Sequence, residues 1–509
     1  MHASAVRASA PAGARARASV ASRSSHSPAR VLRASSGRSV APRAPMARLG
    51  GSYFSGTAIS SATLAGRSSA APRVRVTLDD FDEKEPAGPI DNDTVPKRRI
   101  CVFVEPSPFT YICGYKNRFE NLIRYLREGG DEVLVITTHS DNEPKEFCGA
   151  EVFQAKSFVF PFYPLPLSLA MSPRIYNKVK AFNPDLIHCC SPGFMCFAAL
   201  LYAKMRAIPL VLSYHTHVPK YIPDYVPSML AWLVKPMWSV LRFLHQAADL
   251  TLVTSTAMGK ELISMGATML AATMVWKRGV DADIFNPRHK SEAMRARLCG
   301  GDPSRKVVVH VGRLGAEKNL FSIKDMMAQL PGTRLAFVGD GPVRKELEAH
   351  FEGTDTVFLG MCRGDELSQA YASADAFIMP SESETLGFVV LEAMASGVPV
   401  VASRAGGIPD IVNADGVNGF LYTPGNTEAG IQEAAGHLRV LLYEDTELAA
   451  RVGAAGRAEV SRWDWRAATQ HLRKVQYASA IAAHAKSCGK SLPEGESPQG
   501  QIGGAPAMA

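Results

Sequence analysis

Four side chains in the second half of the chain have the types and spacing to hold a charged sugar ligand. Arg313 and Lys318 lie close together in VGRLGAEKNL, and Glu384 and Glu392 share the stretch PSESETLGFVVLEAMASGVPVVAS. Two fixed cations suit a diphosphate, and arginine brings a rigid planar fork that lysine lacks. Two carboxylates suggest first the acid and the nucleophile or base of a glycosidase. Their placement argues against that chemistry, because Glu392 falls inside a helical run that begins near Gly387 while Glu384 precedes it. The backbone N–H groups of Gly387, Phe388 and Val389 then stand at a helix N-terminus, which favours anionic or hydroxyl oxygens. A loop glutamate facing sugar hydroxyls and a helical glutamate facing ribose hydroxyls fit better. Glu382 is a rival with the wrong spacing.

The elements around these residues place them. AFIMPS, GFVVLEAMASG and VPVVAS read as strand, helix and strand, and KVVVHVGR is a strand with Arg313 just beyond it. Ligands of open α/β sheets bind at such carboxyl ends. The same alternation occurs earlier, from RICVFVEP through NRFENLIRYLREGG, DEVLVITT, DLIHCCS, FAALLYAKMRA, PLVLSYHTH and DLTLVTS to TMVWKRGV. Strands alternating with helices predict parallel sheets coated on both faces. The fold class expected is α/β, with two Rossmann-like domains facing across a cleft and a C-terminal helix. The boundaries expected are 1–97 for a leader and linker, 98–285 and 286–461 for the two domains, 462–486 for a crossover helix and 487–509 for a Gly, Pro and Ser-rich tail.

Composition removes one class of function. The chain of 509 residues carries a formal charge of +8, which invites a nucleic-acid reading. Residues 1–78 hold twelve arginines with no lysine and no acid, so the remainder has 56 − 12 = 44 basic against 48 acidic side chains, a balance of −4. The basicity belongs to the leader. An Arg, Ser and Ala-rich leader without acids or an apolar core has the composition of an organellar transit peptide, although this mix does not separate plastid from mitochondrion. The nine cysteines form no C-x-x-C pair, and reduced thiols are expected.

The first half offers further candidates. SPFTYICGYKNRF places Gly114, Lys116 and Arg118 at a helix start, where cations oppose the helix dipole, so an anionic ligand is expected there. SYHTH ends a strand with His215 and His217; a neutral imidazole in a cleft can bond a sugar hydroxyl or move a proton, and His215 is preferred. GDGP at 339–342 begins like a dinucleotide fingerprint but lacks the third glycine, which leaves a tight turn lining the cleft. DYVPSMLAWLVKPMWSVLRFLHQ and FVFPFYPLPLSLAMSP are too broken to span a bilayer; either can lie on one or pack in a core.

GRLGAEKN followed by SESETLGFVVLEAMASGVPVVASRAGGIPD resembles the retaining GT-B glycosyltransferases of family 4, from about Arg98 to Lys486. The match of CGYKNRF and SYHTHVPKYIPDYV is to the family's sulfolipid-making members in chloroplasts. The resemblance implies transfer of sulfoquinovose from UDP-sulfoquinovose to diacylglycerol with retention, and peripheral contact with the inner envelope or thylakoid membrane. It implies no cofactor and no metal, the UDP-sugar being a co-substrate. Arg313 and Lys318 match the family's diphosphate pair, Glu384 its donor-sugar glutamate beside Gly387, Phe388 and Val389, and Glu392 its ribose glutamate. Arg363 matches the uracil contact and Gly114 the glycine loop, with Cys113 where many relatives have a second glycine. Asp410 replaces a common glutamate, so no role is carried to it. Lys116, Arg118 and Lys220 are the cations expected near the sulfonate. A glucosyl or galactosyl transferase acting on diacylglycerol shares these nucleotide motifs; a soluble GT-B epimerase or hydrolase, or a non-catalytic scaffold, are the readings from other classes.

Overall fold

Runs of Val, Ile and Leu long enough to be buried on both faces alternate with helices twice along the chain, and each series forms its own sheet. The computed structural model describes residues 81, 95–111, 115–159, 165–225, 232–382 and 384–492. The leader, the end of the tail and Gly114 lie outside these residues.

The first series runs β1 (Arg99–Val104), α1 (Lys116–Glu128), β2 (Glu132–Thr138), β3 (Glu146–Phe147), β4 (Ala150–Ala155), β5 (Phe158–Val159) and β6 (Pro166–Leu167). It continues through α2 (Pro173–Phe182), β7 (Leu186–Ser191), α3 (Met195–Arg206), β8 (Leu210–Tyr214), α4 (Val218–Tyr225), α5 (Val234–Gln246), β9 (Leu250–Val253), α6 (Thr256–Ser264) and β10 (Thr273–Val275). The sheet order is β10-β9-β8-β7-β1-β2-β4-β3, parallel except for the short edge strand β3, while β5 and β6 pair as a separate hairpin.

The second series runs α7 (Glu292–Cys299), β11 (Val307–Val311), α8 (Ile323–Met327), β12 (Arg334–Val338), α9 (Arg344–His350), β13 (Thr356–Gly360), α10 (Asp365–Ala372) and β14 (Ala376–Met379). It ends with α11 (Phe388–Ala395), β15 (Val400–Ser403), β16 (Phe420–Tyr422), α12 (Glu428–Arg439) and α13 (Thr446–Ser461). Its order, β13-β12-β11-β14-β15-β16, is parallel throughout. This is the GT-B arrangement of two Rossmann-like sheets.

Side-chain alternation along β1 divides the first core. Ile100, Val102 and Val104 pack against α1, whereas Cys101 and Phe103 pack beneath α2 and α3. The final helices, α14 (Trp465–His471) and α15 (Ala478–Ser487), return to the first sheet, where Leu472, Tyr477, Ala480 and Ile481 join the α1 side. They are joined by a π-helical segment, Leu472–Tyr477, within one continuous helical run. Arg473 in that turn holds Asp131 through Nε–Oδ2 (2.7 Å) and Nη2–Oδ1 (2.9 Å), both side chains being buried. Tyr477 bonds His188 at 2.8 Å and His484 meets Asp249 at 3.1 Å.

Candidate active site

β11 and β14 are neighbours, so the loops at their carboxyl ends lie side by side although they are far apart in sequence. That adjacency brings Lys318 Nζ into direct contact with Glu384 Oε1. Arg313, on the same loop, is half-exposed, with Nη1 3.7 Å from Glu317 Oε1. The GDGP turn braces this loop: Leu314 N–H donates to Asp340 O (3.0 Å), and a Cβ at Gly339 would lie 1.9 Å from Gly312 O. Close backbone approach to the Arg313 loop is the reason for glycine at this turn.

Gly387 caps α11 in the left-handed region, at φ +85°. Backbone bonding in the helix begins with Val390 N–H donating to Gly387 O (3.0 Å). Among the described residues, Phe388 and Val389 therefore present N–H groups that no turn of the helix uses. One turn further, Glu392 Oε2 accepts the hydroxyl of Tyr371 from α10 (2.8 Å). Burial pushes this carboxyl up to about 7, against the Tyr371 hydrogen bond that pulls it down. Arg363 is exposed beyond β13, the edge strand, two strands from β11.

In the first half, His215 lies just past the end of β8, ringed by Tyr115, Phe119 and Trp276 at 5.2–5.6 Å between centroids. Its Nε2 meets Ser213 Oγ at 2.9 Å. Burial first, then the charges of Arg118 and His188, hold its pKa well below the usual value, so the imidazole is neutral at physiological pH. His217 has both nitrogens engaged, by Tyr214 (3.3 Å) and Glu261 (2.7 Å), which favours His215 as the ligand-facing histidine.

Two of the expected ligand cations have partners within the protein. Lys116 donates to Pro108 O (2.7 Å), Phe109 O (3.2 Å) and Glu120 Oε1 (2.9 Å), which uses the three donors an ammonium has. Arg118 is buried, bonds Trp276 O (2.6 Å) and Lys277 O (3.1 Å), and lies over the Trp276 ring at 4.0 Å. Both cations tie the helix start to neighbouring backbone, while Arg118 Nε and Nη1 are buried with no hydrogen-bond partner among the described residues. Lys220, on the first turn of α4, is exposed.

Two family models cover most of this architecture: Glycosyltransferase Family 4 matches residues 113–284, and Glycosyl transferases group 1 matches 305–439. The sulfoquinovosyl transferase SQD2 of Arabidopsis thaliana is 56% identical over 405 residues, which are 79% of this chain and 78% of that protein. The chain belongs to glycosyltransferase family 4. A GDP-mannose-dependent alpha-mannosyltransferase of Mycobacterium tuberculosis is 33% identical to this glycosyltransferase, over 71% of its chain and 93% of the relative. Solved structures share its fold. Sucrose-phosphate synthase from Thermosynechococcus elongatus superposes with a TM-score of 0.60 at 22% identity, over 76% of this chain and 100% of that one. Anabaena HepE in complex with UDP and glucose gives 0.57 at 23%, over 74% and 98%.

Sequence reasoning missed two groups in the glycosyltransferase. Gly407 N–H donates to Glu384 O (2.8 Å), and Gly406, at φ +58°, has room for no side chain because a Cβ would lie 2.1 Å from that same oxygen. The GG pair therefore fixes the backbone that carries Glu384. Gly406→Ala is expected to shift Glu384 off Lys318, since the left-handed backbone alone costs an alanine about 1–2 kcal/mol. Turnover should fall further than a melting temperature lowered by a few degrees explains, and wild-type turnover would refute the role. Asp410 is the second. Its Oδ2 accepts Thr256 N–H at the start of α6 (2.7 Å) and its carbonyl accepts Arg278 Nη2, so it joins the second sheet's loops to the first half. The one signal for either was their place in GGIPD, directly after β15.

Proposed function

We propose that this glycosyltransferase moves sulfoquinovose from UDP-sulfoquinovose to the free hydroxyl of diacylglycerol with retained configuration. The observation that carries the reading is the meeting of Lys318 with Glu384 beside Arg313, on a chain 56% identical to the Arabidopsis sulfoquinovosyl transferase. Arg313 and Lys318 take the diphosphate, and the free N–H groups at the start of α11 add dipoles to the same charge. Glu384 orients the sugar hydroxyls, with neutral His215 across the cleft as a hydrogen-bond partner. Glu392 holds the ribose and Arg363 the uracil. Gly114 belongs to the glycine loop of this reading and lies outside the described residues.

The bond from the sugar's anomeric carbon to the β-phosphate oxygen breaks, and the bond to the lipid hydroxyl forms on the same face. The departing phosphate takes the hydroxyl's proton, so UDP leaves without a protein base. The two cations and the helix dipole stabilise the charge that grows on the leaving group. The Arg-rich leader fits delivery to the chloroplast. No helix among the described residues is long and apolar enough to cross a membrane, which fits peripheral contact with the inner envelope or thylakoid.

The test is a donor panel with purified protein, diacylglycerol in detergent and mass-resolved products. Sulfoquinovosyldiacylglycerol from UDP-sulfoquinovose supports the reading; equal or better use of UDP-glucose or UDP-galactose overturns it. Lys220→Ala should lower kcat/KM for UDP-sulfoquinovose about tenfold and leave UDP-glucose unchanged, as expected for one charge-assisted hydrogen bond to the sulfonate.

Ribose recognition has a pH signature. Glu392 binds protons more readily when folded than the ordinary carboxyl, near 4.5. The stability this contributes is fully present below that value and is lost as pH rises through about 7. Ribose hydroxyls donate to the ionised form, so uridine affinity should rise as pH increases through about 7. Uridine is used because its phosphate-free form does not itself titrate there. Glu392→Gln should flatten the profile, and a flat wild-type profile would remove Glu392 from the ribose site.

A further inference from the structure

The imidazole of His215 is held in one orientation. Its backbone N–H donates to Ser191 O (2.9 Å), which anchors the residue to the end of β7. Its ring stands among Tyr115, Phe119 and Trp276, and two of these are themselves tied down. Tyr115 donates its hydroxyl to Glu105 O (2.6 Å), and the Arg118 guanidinium covers Trp276. A ring packed in this way cannot turn over and exchange its two nitrogens without displacing its neighbours. Nε2 stays toward Ser213, two positions back and on the same side of the chain. Among the described residues Nδ1 has no hydrogen-bond partner, which leaves it for a ligand.

The hydroxyl of Ser213 decides which nitrogen carries the proton. Ser213 is fully buried, so an O–H without an acceptor would be costly there. Two acceptors are near, His215 Nε2 at 2.9 Å and Cys189 O at 3.5 Å. The first is a bond of ordinary length, and the second lies at the outer limit of one. The hydroxyl therefore donates to Nε2, which must be the bare nitrogen. A neutral imidazole has a single N–H, so Nδ1 carries it. The opposite tautomer would leave the buried hydroxyl with the long contact alone.

Behind the ring lies a positive charge that no carboxylate offsets among the described residues. Arg118 is buried, its Nη2 bonds two backbone carbonyls, and its Nε and Nη1 have no partner. Burial, then the charge of Arg278, lowers its pKa to about 9, so it stays charged at physiological pH. Its charge is felt at His215. An N–H backed by a buried cation suits an anionic oxygen.

We propose that Ser213, without touching substrate, holds His215 as an Nδ1–H donor, and that this N–H with Arg118 behind it selects the sulfonate of the UDP-sugar. The choice of sulfonate rests on the proposed function; the tautomer does not. The oxygens of a sulfonate only accept, so they pair with one tautomer. A sugar hydroxyl donates and accepts, so it pairs with both. Ser213 is thus a positioning residue whose effect differs between a sulfonated and a neutral sugar.

Nitrogen-15 labelling of the histidines reads the tautomer directly, and His215→Asn identifies the signal by its loss. The full-length chain at neutral pH should show Nδ1 protonated and Nε2 bare, and Ser213→Ala should show a mixture. That variant should lose about tenfold in kcat/KM with UDP-sulfoquinovose, as for one charge-assisted hydrogen bond, and bind UDP-glucose within about twofold of wild type. Arg118→Gln should lower UDP-sulfoquinovose use about fivefold with UDP-glucose binding kept, and Arg118→Lys should retain most of it. Circular dichroism and UDP binding at wild-type levels would show each variant folded, and the wild-type spectrum decides even where one is not. His215 protonated on Nε2 in the wild type overturns the proposal. So does an equal loss with both UDP-sugars in Ser213→Ala, which would leave the serine a packing role alone. Nδ1 protonated in a chain that makes no sulfoquinovosyl lipid would instead sink the UDP-sugar assignment and leave the tautomer standing.

Discussion

Lys318→Ala is expected to lower kcat by about a hundred- to a thousandfold, the range for losing one preorganised donor to a developing oxyanion. The variant should fold, because Lys318 sits on a surface loop with a partly exposed side chain. Its effect has two parts. The leaving diphosphate loses a cation, and Glu384 is left without its partner at the place where phosphate charge grows. A cycle with Glu384→Gln separates them. The double variant should regain nucleotide affinity relative to Lys318→Ala, because the uncompensated carboxylate is gone, but should not regain turnover. Steady-state kinetics and UDP titrations on the four proteins decide the matter. An unchanged kcat in Lys318→Ala would mean that Arg313 and the start of α11 carry the leaving-group charge without it.

The second large effect is on stability. Arg473→Met should cost about 3–5 kcal/mol, because it leaves Asp131 charged in a site from which water is excluded. Among the described residues Asp131 would keep the N–H of Arg98 (3.0 Å), and Gly129 O would lose its bond from Nη2 (3.0 Å). Replacing both partners, Asp131→Leu with Arg473→Met, should recover most of the loss, since neither member of the pair is then left charged without the other. Urea unfolding read by circular dichroism gives both numbers. A loss below about 1 kcal/mol in the single variant would place this pair with exposed ion pairs and refute the argument.

The parts of this molecule that were legible in its sequence are those where local pattern and global packing agree. Strands such as VVVHV and VPVVAS are buried on both faces and so read as continuous apolar runs. Arg313, Lys318 and Glu384 stood out as candidates because charged residues follow the ends of such runs, and the structure brings Lys318 and Glu384 together. Contacts between distant segments were not legible. Lys116 and Arg118 were read from the helix dipole, a local argument that cannot see the carbonyls of Pro108, Phe109, Trp276 and Lys277. Asp410 and Gly406 act through Thr256 and Glu384, and neither pairing leaves a mark on local composition. Short strands such as β5, β6 and β16 carry too few residues for a period to register.

The return of α14 and α15 to the first sheet has a consequence for how the chain is made. Ile100, Val102 and Val133 lie early in the described chain, yet part of their cover, from Leu472 to Ile481, is among its last segments. A ribosome releasing the chain from its N-terminus has delivered the entire second sheet before that cover emerges. The half synthesised first is thus finished last, and its uncovered apolar face is a surface for chaperones throughout the interval. Any process that threads the chain N-terminus first imposes the same wait.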